Sequence, residues 1–362
     1  MHNKRIFIAS ALIILAACSC SKYPVQKKSA LRLNVEGADY TKSTPTTTSS
    51  LRESGKFVLE AWLDDEWKDF SDPDAATKPA NPAGQYITSG GNYNVKYTAA
   101  DGWKTTSEYM WIAEDLTRFF CYYPDDASVN SDATGIRTFT SRGQSLGDQM
   151  VFDYTLPKHT TANKDADAQQ DLIFAYTEKK FTDGSTPSID IHFKHALSLI
   201  NFCVGMDDGT FDTSLIISDI SLKGVANSGN CVFSGKGTPM FKWTLATGTS
   251  DFAQTYNAVF SGASTSGWEK GTYKNGDDTY QLRTCSNAFF MIPQTLSGAK
   301  LQITFANTGE ASDKVITVNL PADTWEAGKY YTYKIGATTI GREIKVTVTL
   351  SDWDNYDDKL LF

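Results

Sequence analysis

The chain has 362 residues, 41% of them hydrophobic, with 42 acidic and 34 basic side chains and a formal charge of −8. That charge argues against nucleic acid and anionic lipid as partners. The length exceeds one typical core and calls for two domains. Of the six cysteines, the five other than Cys18 are scattered and odd in number, without close-pair spacing; most of Cys121, Cys203, Cys231 and Cys285 read as small core residues rather than a disulfide framework or a metal site.

The chain opens with Lys4 and Arg5, followed by an uncharged, mostly apolar run from Ile6 to Ala17. A bilayer crossing needs about 20 such residues, so this run has the size of a secretory h-region. Leu15-Ala16-Ala17-Cys18 resembles a bacterial lipobox. The resemblance implies cleavage between Ala17 and Cys18, acylation of Cys18 (palmitate is the expected type of chain), and anchoring to a membrane through those chains. Cys20 fits the pattern less well, and an ordinary secretory peptide that happens to hold a cysteine is the other reading. Losing residues 1–17 removes two bases and no acids, so the charge moves to −8 − 2 = −10.

After residue 17 the pattern is β. Leu31, Leu33 and Val35 alternate with polar residues and predict a first strand over about 30–36. Residues 40–54 are Thr/Ser-rich and read as an exposed linker. Residues 57–63 and 119–123 are rich in strand formers, and Pro124 stops the second run. Residues 160–170 read as a surface loop. A domain boundary is expected near 194/195, giving domains over 18–194 and 195–362. Further on, Leu301, Ile303 and Phe305 alternate, and Val315, Ile316 and Val318 do so less strictly. Ile344, Val346, Val348 and Leu350 alternate cleanly with Lys345, Thr347 and Thr349. Short strands separated by Gly, Asp, Asn and Ser clusters predict an all-β protein built of sandwiches.

Motifs for chemistry are thin. His192 and His195 are three apart, which in a strand sends them to opposite faces and makes a shared metal unexpected. Asp165, Asp167 and Asp171 lack the turn glycine and terminal Glu of a calcium loop. Residues 234–238, SGKGT, carry Lys236 but not the spacing of a phosphate-binding loop, and no helix pattern follows. No catalytic residue, metal ligand or cofactor is expected.

Several stretches occur together in one order: DLIFAYT (171–177), IHFKHALSLINF (191–202), ISDISLKGVANSGNCVF (217–233), MIPQTL (291–296), TWEAGKYYTYKI (324–335) and a late Trp353. That order resembles the fimbrillin family, the lipoprotein pilins of type V fimbriae. The resemblance implies two transthyretin-like β-sandwich domains and structural roles for Trp325, Tyr331, Tyr333 and His195. It also implies a precursor carried as a lipoprotein to the outer membrane and cell surface. A trypsin-like protease then cuts it, its first strand leaves, and a C-terminal strand from a neighbouring subunit fills the gap. The partners implied are other copies or other pilin subunits and a host or bacterial surface receptor, not nucleic acid.

Carried onto this sequence, the removable strand holds Leu31, Leu33 and Val35. The candidate cuts follow Lys42, where the family usually shows Arg, or Arg52. The donor is residues 343–362, with Ile344, Val346, Val348 and Leu350 on one face. The expected function is a structural subunit of an adhesive or biofilm-forming fimbrium. A fimbrial anchor or tip subunit is the first alternative. The other is a monomeric, surface glycan-binding lipoprotein using its abundant Trp and Tyr.

Overall fold

The structure, a computed structural model, describes residues 32–36, 51, 54–63, 85–107, 109, 116–132, 134–142, 148–157, 169–180, 188–206, 216–246, 254–258, 269–272, 279–282, 289–306, 314–320, 324–337 and 344–352. Ala17, Cys18, Leu31, Lys42, Arg52, Asp165 and Asp167 lie outside the described residues.

Apart from the helical turn that holds Leu51 and Ser54, every described element is a strand. In the first half of the chain these are β1 (Arg32–Glu36), β2 (Lys56–Leu63), β3 (Gln85–Ile87), β4 (Val95–Thr98), β5 (Gly102–Thr105), β6 (Leu116–Tyr123), β7 (Asn130–Ser131), β8 (Gly135–Arg142), β9 (Gln149–Thr155), β10 (Ile173–Lys180), β11 (Ser188–His192) and β12 (Lys194–His195). The second half contains β13 (Ser198–Met206), β14 (Ile216–Val225), β15 (Ser228–Ser234), β16 (Phe241–Leu245), β17 (Gln254–Ala258), β18 (Glu269–Thr272), β19 (Thr279–Leu282) and β20 (Phe289–Met291). It ends with β21 (Gln294–Thr295), β22 (Lys300–Ala306), β23 (Lys314–Asn319), β24 (Thr324–Trp325), β25 (Lys329–Ala337) and β26 (Ile344–Asp352).

Five sheets result. The largest runs β11-β1-β5-β4-β2-β6-β10-β12, with β3 also on β2. A five-stranded sheet runs β16-β15-β9-β8-β7, and a four-stranded one runs β17-β14-β22-β23. A six-stranded sheet runs β18-β19-β13-β25-β26, with β20 also on β13, and β21 pairs with β24. The ladder between β9 and β15 crosses the division expected at 194/195, joining residues 149–155 to 228–234.

The centre of the first half is β2, β6 and β10, buried on both faces. Phe57, Leu59, Phe119, Cys121, Ile173 and Ala175 enter one core with Leu33, Val35, Trp103, Ile189 and Ile191. Val58, Phe120, Tyr122 and Phe174 enter the other, with Phe152, Cys231 and Phe233. Double coverage explains why residues 57–63 and 119–123 read as nearly unbroken apolar runs rather than as strict alternation. Where β3 gives way to β4 beside β2, Asn94 replaces a backbone partner. Its side chain accepts from Leu59 N (2.7 Å) and donates to Leu59 O (2.7 Å).

Glu60 and Arg137 are charged groups buried against this core. Glu60 on β2 is 1% exposed. Its Oε1 accepts from Arg142 Nη1 (3.1 Å) and Ser89 Oγ (2.9 Å). Arg142 also pairs with Asp126, while Arg137 lies 4.8 Å over the Tyr122 ring. Burial raises the Glu60 carboxyl above its ordinary 4.5, and Arg142 only partly offsets this. A group whose folded pKa is raised adds stability that is complete below its unfolded value and is lost as pH rises through the folded one. The stability of the protein relative to Glu60→Gln should therefore be greatest below pH 4.5 and decline above it. Chemical denaturation across that range checks the sign; a difference that grows with pH would mean that the Arg142 pair dominates.

Candidate functional site

β1 is short, interior to its sheet and distant in sequence from its main partner. Its five residues pair in parallel with β11, from Arg32↔Ser188 to Glu36↔His192. Its other edge meets β5 at one register position, Leu33↔Trp103. Leu33 and Val35 point inward and are each 7% exposed, while Arg32 and Asn34 point out. Asn34 Nδ2 donates to Asp190 Oδ1 (2.8 Å) and Ser188 Oγ (3.3 Å) on β11.

The seat beneath β1 is apolar. Ile189 and Ile191 project from β11 into the same core as Trp103. Trp103 packs on Phe57 with ring centroids 5.1 Å apart, and Phe57 packs on Phe193 at 5.4 Å. Without β1 this seat would be an open channel between β11 and β5, with apolar pockets below and unpaired backbone groups on both walls. Each inward side chain contributes about 1.5–3 kcal/mol and each net backbone hydrogen bond about 0.5–1.5 kcal/mol. An empty channel is therefore costly against a stability of about 5–15 kcal/mol. What this site can do is hold an extended segment. The seat residues on β11 were missed in the sequence, although Ile189 and Ile191 alternate with Asp190 and His192 and carry a short strand signal.

β26 has the opposite placement. It ends its sheet and pairs along its whole length with β25, from Ala337↔Ile344 to Lys329↔Asp352. The backbone positions of Ile344, Val346, Val348 and Leu350 all lie within this nine-residue strand.

The motif residues serve the fold. His195 is buried and its Nδ1 lies 2.8 Å from Asp171 Oδ2. Trp325 is fully buried and donates from Nε1 to Tyr333 Oη (2.8 Å), and Tyr331 Oη accepts from Glu326 N (2.9 Å). Gln294, the Gln of PQTL, accepts from Ala226 N (2.7 Å) and donates to Ala226 O (3.2 Å), standing in for a strand partner. Gln169 does the same for Phe290, at 2.9 and 3.2 Å. His192 is exposed on the face opposite His195. Lys236 sits in a turn, where its N–H donates to Asp148 (2.6 Å) and its Nζ pairs with Glu178 (2.8 Å). Among the described residues no three His, Cys, Asp or Glu side chains gather as a metal-binding group. No helix among the described residues is long and apolar enough to cross a membrane.

Layered, mostly antiparallel sheets, with one short strand lying between partners distant in sequence, define a β-sandwich protein. The chain belongs to the fimbrillin-like family, which matches residues 70–353. A fimbrial protein from Bacteroides vulgatus ATCC 8482 shares the fold at TM-score 0.56 and 18% identity, covering 90% of this chain and 99% of that one. A presumed cell adhesion protein from Bacteroides uniformis ATCC 8492 aligns at TM-score 0.47 and 16% identity, covering 90% and 98%. No curated protein matches the chain.

Proposed function

We propose that the chain is a structural subunit of a surface fimbrium, exported as a lipoprotein and assembled by strand exchange for adhesion or biofilm formation. The observation that carries this reading is the contrast between β1 and β26. β1 is a five-residue strand seated between two other strands, and β26 is a nine-residue strand at a sheet edge. Loss of β1 opens a channel, and withdrawal of β26 opens none. A neighbour's β26 brings four alternating apolar positions where β1 brings Leu33 and Val35. Once cut away, β1 no longer competes for the seat, and the donor's pairing between β11 and β5 replaces the ladder it leaves on β25.

The releasing cut falls after Lys42 rather than Arg52. Leu51 is wholly buried in the core beneath β1, and its carbonyl accepts from Ser54 Oγ (2.8 Å) and Gly55 N (2.9 Å). A cut after Arg52 would send Leu51 away with the released piece. Brief trypsin digestion followed by N-terminal sequencing tests this. The expected core begins at Ser43, whereas first cuts inside β2, β6 or β10 would overturn the reading.

Before processing, acyl chains on Cys18 hold the subunit on the outer membrane. Cys18→Ala should abolish labelling by a fatty-acid analogue and leave the precursor uncleaved. Equal labelling of the variant would remove the lipoprotein step. The same reading takes other pilin subunits as partners and leaves the fold without a catalytic role.

A further inference from the structure

Two sheet edges face one cleft. β12 ends the nine-stranded sheet and β16 ends the five-stranded one. The cleft between them has a volume of about 820 Å³. His195, Phe241, Trp243 and Leu245 line it, and the turn from Thr324 to Lys329 forms another wall.

The hydrogen bonds at the ends of β16 set which of its backbone groups face the cleft. Met240 O accepts from Ser234 N (2.8 Å), and Ala246 N donates to Ser228 O (3.2 Å). Even-numbered residues from 240 to 246 therefore turn their backbone groups toward β15, and Phe241, Trp243 and Leu245 turn theirs outward. Among the described residues, β16 pairs with β15 alone. Outward backbone groups beside apolar walls are a template for one more strand.

The course of the chain says which segment that is. β26 ends at Asp352, opposite Lys329 on β25, and Lys329 is itself in the cleft wall. Residues 353–362, WDNYDDKLLF, continue from that rim. Extended, ten residues reach about 33 Å, and a five-residue strand such as β16 spans about 17 Å. The segment carries Trp353, Tyr356, Leu360, Leu361 and Phe362, apolar side chains for a wall lined by Phe241, Trp243 and Leu245.

We propose that residues 353–362 dock in this cleft as a strand added to β16 of the same chain, tethering the end of β26 in the unassembled subunit. The inference concerns the resting subunit and does not depend on strand exchange.

Residue-resolved amide exchange tests it on three proteins: the full chain, a chain ending at 352, and the full chain with Leu360→Asp and Phe362→Asp. The amides of Phe241, Trp243 and Leu245 should exchange roughly tenfold or more faster in both altered proteins. Those of Lys242 and Thr244, turned toward β15, should not change. A synthetic peptide of residues 353–362 should restore protection to the shortened chain. In the full chain, protection should persist on dilution. Equal exchange at the three outward amides in all three proteins would overturn the proposal. So would protection that disappears on dilution, because the docked segment would then belong to a second copy.

Discussion

Cleavage after Lys42 and removal of the released piece should leave a folded protein that binds a synthetic peptide of residues 344–352, while the uncut chain binds none. The cut protein loses the Leu33 and Val35 contacts with Ile189, Ile191 and Trp103. It also loses the five-position ladder to β11. At about 1.5–3 kcal/mol per buried side chain and about 0.5–1.5 kcal/mol per hydrogen bond, its stability should fall by several kcal/mol. β2, β6 and β10 keep the rest of both cores, so unfolding should stay cooperative. The bound peptide should restore the lost stability, because it refills the channel between β11 and β5. Thermal unfolding of cut protein, with and without peptide, reads both effects. A peptide that binds uncut and cut protein equally would show that the channel is not its site.

Deleting residues 343–362 should leave a soluble, folded monomer that forms no filaments after protease treatment. Among the described residues β26 is hydrogen-bonded to β25 alone, at the end of its sheet, and it also touches β23. Its removal exposes one edge of β25 and splits no sheet. The cost should again be several kcal/mol, below the total of about 5–15 kcal/mol that a domain holds. The alternative, that β26 serves its own sheet alone, gives one of two other outcomes. The shortened chain would be unfolded, which would revive the monomeric glycan-binding lipoprotein, or it would still make filaments, which would end the donor assignment. Thermal unfolding alongside electron microscopy of treated samples separates the three.

Much of the local structure could be read from the sequence, because side-chain alternation is a local signal. Ile344 to Leu350 lie in β26, Leu301 to Phe305 in β22, and Phe119 to Tyr123 in β6, which ends at Pro124 as expected. The weaker alternation at Val315 to Val318 matches β23, which lies at a sheet edge and leaves Val315 53% exposed. Partnerships were harder to read. β1 pairs with a strand more than 150 residues away, and β9 pairs across the middle of the chain with β15. Alternation says which face of a strand is buried and does not say which strand lies beside it. The amides of Asn94, Gln169 and Gln294 were illegible for a related reason. Each replaces a strand's backbone partner, and that duty depends on a gap in a neighbouring sheet rather than on any residue nearby in sequence. The cleft beside β16 was hidden too, since its walls come from residues 194–195, 239–245, 293–295 and 324–329.

Strand exchange turns on which strand lies between β11 and β5 in an assembled subunit. Electron cryo-microscopy of filaments grown from protease-treated protein answers this. The expected density there is residues 344–352 of the adjacent subunit, with Val346 and Val348 over Ile189 and Ile191. Density for Arg32–Glu36 of the same chain in that channel would contradict strand exchange.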